Sequence, residues 1–306
     1  MSFPLVALQL LNGLQLGILL FLMSAGLTLV LGIMSFVNLM HGSLFMLGAY
    51  FSAATLNSTG SFLWAVVVGV AGTLVVGLIL ERIIFRKLYK RDHLYQVLAT
   101  VGLILFFNEV VRMIWGSGAM STSIPEFLQG TVQLFGLRYP VYRFAIIVTG
   151  LCVGLLLYIL IHRTRIGILI RAGASNATMI ASLGINIRRL NAGVVGLGAA
   201  LAGLAGLMAA PFTSVQAGMG EPILIMTLVV IVTGGIGSVR GAFYGAIIVG
   251  LVDTVGRVFL PVLLRGFMEP LQAQTLSAAI ASVLIYLVMA AVLALKPEGL
   301  FPVKHG

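Results

Sequence analysis

Apolar residues in this chain neither alternate nor gather on one helical stripe; they run on for about 20 residues at a time, the length a helix needs to cross ~30 Å of hydrocarbon. Such runs lie near residues 10–33, 38–57, 62–81, 94–115, 141–162, 190–210, 241–260 and 271–295. A shorter one, Pro222–Thr233, ends in TGGIGS and reads either as a further crossing or as a half-span that enters and breaks inside the protein. The pattern predicts an all-α polytopic transmembrane helix bundle of 8–9 spans, some of them broken helices, forming one domain over residues 1–306.

The longest polar interruption, residues 163–190, reads RTRIGILIRAGASNATMIASLGINIRRL and carries five arginines with no acid. Short basic loops are retained on the cytoplasmic side of a bilayer. Ser175 or Asn176 can cap a short helix ending before Gly184, with Arg171, Ser175, Thr178 and Ser182 on one face and Leu169, Ala172, Ile180 and Leu183 on another. At ~1.5 Å per residue the piece from Ala177 to Leu183 is about 10 Å long, far short of a bilayer and suited to docking in a groove of a partner. The plainer reading is a basic loop that sets topology and lies on membrane lipid headgroups. The connector from Arg82 to His93 holds five more basic residues, and Arg240, Lys296 and Lys304 complete a set of thirteen expected on the cytoplasmic side. The opposite connectors, Asn57–Ser61, Gly116–Pro140, Pro211–Glu221 and Pro261–Pro270, contribute only Arg138 and Arg265. The C-terminus is therefore expected inside, and nine passes would put the N-terminus outside.

Polar residues also break what should be hydrocarbon. In LGIMSFVNLMHGSLFMLGAY, residues 31–50, Asn38, His41 and Ser43 stand among Gly32, Gly42 and Gly48. Irregular backbone at that depth survives only against protein or a cavity. Either a packed helix pair hydrogen-bonds Asn38 and His41 across the bundle, or a broken helix borders a pathway and meets the charged ends of a passing zwitterion. A third stretch, TGGIGSVRGAFYGAIIVGLVD from Thr233, faintly echoes Gly42, Ser43, Gly48 and Ala49. If the echo marks a repeat, Thr233, Gly234, Gly235, Gly237 and Ser238 should face Asn38, His41, Gly42 and Ser43 across the pathway.

These stretches together resemble one family. RTRIG followed by SLGI-N-x-RRL, the string NLMHGSLFMLGAY, the GG-x-GS pattern and the ATVGLILFFNEVVRMIWGS run are similar to the membrane permeases of the branched-chain amino-acid ABC importers, over nearly the whole chain. The resemblance implies that residues 163–190 form a cytoplasmic coupling loop that seats in an ATPase subunit, with Arg165, Gly167, Arg171, Asn176, Leu183 and Gly184 at the contact. It further implies a paralogous permease subunit, two cytoplasmic ATPase subunits that use the ATP, a periplasmic solute-binding protein and a bacterial inner membrane. The chain departs from the family at ASNATM, where an acidic residue is common. Urea and short-chain amide permeases share almost the same signature, so another small polar solute fits the same machine.

Composition narrows the remaining classes. Hydrophobic side chains make up 60% of 306 residues, charged ones 8%, and mean hydropathy is +1.15; a soluble domain carries about a quarter charged residues. The formal charge of +10 sits in short loops and so reports orientation, with no nucleic-acid partner implied. No His or Cys pair among His41, His93, His162, His305 and Cys152 has metal-ligand spacing, and Cys152 reads as a small buried hydrophobe. GLGAALAGLAG lacks the lysine of a phosphate loop, so no cofactor or ATPase site is expected here, and no nucleophile and base stand at workable spacing for an enzyme. No basic segment precedes the first apolar run, so a cleaved signal peptide is not expected. Glu109 with Arg112, and Asp253 with Arg257, can pair along their helices. A stand-alone channel or secondary transporter lacks an unpaired mid-membrane carboxylate for a coupling ion.

Overall fold

The computed structural model describes residues 3–134 and 136–302; Lys304 and His305 lie outside the described residues. The apolar runs fold as α1 (Phe3–Met34), α2 (His41–Thr59) and α3 (Phe62–Leu80), which a π-helical turn (Glu81–Phe85) and the short α4 (Arg86–Leu88) continue. Then come α5 (His93–Trp115), α6 (Val141–Arg163), α7 (Arg165–Ser175), α8 (Ala177–Ser182), α9 (Ile187–Ala209), α10 (Gly220–Gly234), α11 (Val239–Leu264) and α12 (Pro270–Leu295). Among the described residues seven helices, α1, α3 with its continuation, α5, α6, α9, α11 and α12, are long and apolar enough to cross a membrane. The chain is a multi-pass helical membrane protein. α2 is long enough but carries polar residues along its length, and α10, at about 22 Å, is too short to span alone.

One detail adds to the sequence reading and one corrects it. In the connector before α6, β1 (Thr131–Leu134) and β2 (Leu137–Pro140) pair antiparallel, and the buried Tyr139 donates from its hydroxyl to Leu11 O at 3.2 Å. Cys152 is exposed on the outward face of α6, not buried, because that helix packs through Ile146, Gly150 and Leu157 instead.

α1 sits at the centre, against α9 and α11. A Cβ on Gly13 would meet Leu251, one on Gly17 the Ala246 carbonyl, and one on Gly26 the backbone of Gly198, so glycine at these positions lets helix backbones touch. Small residues do this work because lipid supplies no hydrophobic drive between helices.

Contacts sort the connectors into two ends. Phe36 packs on Phe85 and Tyr89 with ring centroids 5.1 and 5.4 Å apart, Ile33 lies beside Gly173, and Gly32 beside Gly237. The basic residues of 82–91, the 163–190 segment and Arg240 therefore share one end, the basic end. At the far end Asn57 Nδ2 donates to Ser121 O at 3.4 Å, Met120 pairs with Val215, and Phe62 meets Phe127.

Both α2 and α10 start inside the bundle. α1 stops at the basic end, where Ser35 takes φ 47°, and residues 36–40 turn back so that His41 Nε2 lies 3.2 Å from Met23 O. Met23 is about three helical turns, roughly 16 Å, above the end of α1. On the other side the chain after α9 dips from the far end and starts α10 at Gly220. The two halves run in opposite senses, with Gly26 meeting Gly198 and Gly42 meeting Gly220.

Candidate functional site

The starts of α2 and α10 meet at mid-depth with nothing between them: a Cβ on Gly42 would lie 2.6 Å from the Gly220 carbonyl oxygen. Both helices begin after a methionine, Met40 and Met219, and both direct the positive end of a helix dipole toward this junction. Glu221, in the first turn of α10, places its carboxylate there and accepts from Asn108 Nδ2 of α5 at 2.6 Å. Ser43 lines the same crevice, and Leu39, Met46, Ile104 and Leu224 form its apolar wall. The crevice is collapsed in this conformation and has no room for a solute. Chemically it offers a carboxylate for a cation, helix-start amides for an anion and a dry wall for an aliphatic group.

Of the residues proposed from sequence, Gly42 and Ser43 line this crevice and His41 and Asn38 lie just behind it. His41 is 1% exposed and tied to Met23; Asn38 is 2% exposed and its Oδ1 has no partner among the described residues. Glu221 and Asn108 were missed. Glu221 had been assigned to a far-end connector, and its one sequence signal is a Gly-Glu-Pro step, good chemistry for a helix start, directly before an apolar run.

The segment 233–238 does not face Asn38–Ser43, contrary to the repeat expected from sequence. Gly235 (φ 108°) and Gly237 (φ 84°) turn the chain from α10 into α11 at the basic end, and Ser238 caps α11 by accepting from Gly241 N at 3.0 Å. Leu300 N and Phe301 N donate to Thr233 O and Gly234 O at 3.0 and 2.9 Å, so the C-terminal segment straps the end of α10. The glycines serve a tight hairpin, and α10 reaches the junction with its opposite end, at Gly220. The two ion pairs form: Arg257 Nε donates to Asp253 at 2.9 and 3.0 Å, and Arg112 bonds Glu109.

The 163–190 segment is two helices, not one polar stripe. Asn176 ends α7 and caps α8, its Oδ1 accepting from Met179 N at 2.9 Å, which separates Arg171 and Ser175 from Thr178 and Ser182. Thr164 caps α7 by accepting from Gly167 N at 3.1 Å, and Gly167 itself presses on the carbonyls of Leu160 and Ile161. Gly184 leaves α8 at φ 82°. Arg171 donates to Ile161 O at the end of α6. What projects is Arg165, Met179 (62% exposed) and Leu183 (70% exposed). Ile166 and Ile168 of α7 are exposed as well, so two short capped helices hold four apolar side chains in the open, a knob without a socket among the described residues.

The family described as branched-chain amino acid transport system, permease component, matches residues 9–293. The chain belongs to this permease family. The high-affinity branched-chain amino acid transport system permease protein BraD of Pseudomonas aeruginosa is 30% identical over 81% of this chain and 85% of its own length. The corresponding LivH of Escherichia coli is 28% identical over 82% and 86%, and the ribose import permease RbsC of Escherichia coli 26% over 76% and 72%. No solved structure matches. As a permease of this family the chain is a transporter component, and the matched span takes in both the junction of α2 with α10 and the projecting α8.

Proposed function

We propose that this permease moves branched-chain amino acids through the bacterial inner membrane by alternating access, as one membrane subunit of an ABC importer. Its basic end, with the C-terminus, faces the cytoplasm. A second, paralogous permease subunit, two ATPase subunits and a periplasmic binding protein complete the machine. Closure of the ATPase works α8 through Met179 and Leu183, and the bundle repacks so that the α2–α10 junction opens first outward, then inward.

The crevice carries this reading. A branched-chain amino acid has an ammonium, a carboxylate and an aliphatic side chain, and the junction offers Glu221, two helix starts and the wall of Leu39, Met46, Ile104 and Leu224. A site built of so few contacts stays weak enough to release its solute and leaves selection to the binding protein. The test is leucine uptake into proteoliposomes holding the complete complex, with Glu221→Gln in place of the native residue. The amide keeps a hydrogen bond to Asn108 but removes the charge; uptake should fall at least about tenfold, the worth of a charge-assisted contact, while ATPase stimulation persists. Leucine uptake unchanged by Glu221→Gln would refute the assignment. A neutral amide as the native solute predicts that insensitivity.

A further inference from the structure

A second cavity, of about 510 Å³, opens at the basic end over α1, between the ends of α6 and α7 and the start of α11. Arg171 and Arg240 line it, together with Ser35 and Ser175, and none of its lining residues is an Asp or Glu. Arg240 is steadied over the ring of Tyr158 at 5.5 Å. α11 is 26 residues long and starts at the cavity wall, where the amides of Val239 and Arg240 have no backbone acceptor among the described residues. A helix start of this length concentrates positive potential on whatever lies before it.

One side chain argues independently that a ligand is expected. Three buried threonines inside helices return their hydroxyls to a carbonyl four residues back, Thr73 to Gly69, Thr100 to Gln96 and Thr227 to Ile223, at 2.7 to 2.9 Å. Thr28 of α1 and Thr233 of α10 do not. Thr28 is fully buried and is the one of the two that lines the cavity. A buried hydroxyl left unpaired costs about 1–3 kcal/mol, and of the buried side chains left unpaired among the described residues Thr28 is the one that lines this cavity, where a partner from outside the chain can meet it.

We propose that this cavity binds a phosphate group, held by Arg171, Arg240, the Thr28 hydroxyl and the first amides of α11. Leu29, Ile33, Ile161 and Ile170 supply apolar wall beside those donors, which suits a phosphate carried on a hydrocarbon chain. An anionic phospholipid headgroup and a soluble phosphate offer the same oxyanion, and the experiment separates them. Such a ligand would tie α7, which bears the projecting α8, to α1 and α11.

The test uses the full chain, purified in detergent and stripped of lipid, with thermal unfolding followed during titration by phosphatidylglycerol, by phosphatidylcholine and by inorganic phosphate. Phosphatidylglycerol should raise the unfolding temperature more than phosphatidylcholine does, and Thr28→Val and Arg240→Gln should each weaken that response about tenfold. A rise with inorganic phosphate, equally sensitive to both substitutions, supports the same site with a soluble occupant. Without ligand, Thr28→Val should unfold no earlier than the native chain, since it only removes an unpaired hydroxyl; this keeps the test usable if Arg240→Gln misfolds. No difference among the three additives, or equal responses from the native chain and Thr28→Val, overturns the proposal.

Discussion

Replacing Gly42 by alanine puts one methyl group into the junction of α2 and α10. Its carbon would lie 2.6 Å from the Gly220 carbonyl oxygen, 3.0 Å from the carbonyl carbon and 3.1 Å from Leu224 Cβ. The nearest obstacles are backbone, so no flexible side chain can yield, and the two helix starts must part by roughly half an ångström. Overpacking of this kind costs about 1–3 kcal/mol, against at most ~1 kcal/mol gained by exchanging glycine for alanine in a helix. Gly102 in α5 is the control: nothing lies within 4 Å of a Cβ there, so Gly102→Ala should stabilise by about 0.5–1 kcal/mol. Thermal unfolding of the two purified variants should therefore bracket the native chain, with Gly42→Ala a few degrees lower. Leucine uptake by the reconstituted complex should fall severalfold or more for Gly42→Ala alone, because the parted starts must repack on every cycle. If Gly42→Ala melts and transports like the native chain, or if both alanines destabilise alike, the close approach at mid-depth is not what holds the two broken helices together.

The knob formed by α8 gives a second expectation: Met179→Asp with Leu183→Asp should abolish stimulation of the ATPase subunit. Both positions are exposed, so the chain's own stability should change by less than ~0.5 kcal/mol, and persistent stimulation would remove α8 from the coupling. The Asp253–Arg257 pair gives a third. Asp253 is 4% exposed, so Arg257→Gln alone should cost about 3–5 kcal/mol by stranding a buried charge, whereas adding Asp253→Asn should restore folded yield and leave uptake intact. A double variant that folds but cannot transport would assign the pair to the transport cycle instead.

The long spans were legible because an unbroken apolar run of membrane length admits few other structures. Asn38, His41 and Ser43 were legible as a break, since each is polar where the surroundings are hydrocarbon. Where that break leads was not: the backbone turning up from Ser35 to Met23 is a tertiary event, invisible to a window of neighbours. The same blindness hid Glu221, which stands beside a proline after a glycine-rich connector and so looks like loop, although α10 begins at mid-depth. Asn108 was hidden inside a run apolar enough to be read as plain span. Thr233–Ser238 drew attention by its glycines, but glycine serves tight hairpins and solute pathways equally, and Gly235 and Gly237 belong to the former. The caps at Thr164, Asn176 and Ser238 follow from residue type; the break that divides α6 from α7 depends on Gly167 pressing against the end of α6, a tertiary contact.

The position of α1 at the centre bears on how the chain is made. Made well before its partners, α1 must wait in lipid until α9 and α11, more than 150 residues later, supply Gly198, Ala246 and Leu251 to receive its own glycines. Throughout that wait its small-residue face is open to any other helix with a similar face, including that of a neighbouring nascent copy. Biogenesis, not final stability, is then the step most sensitive to a bulky residue at Gly13, Gly17 or Gly26: such a chain would insert every span and still fail to close.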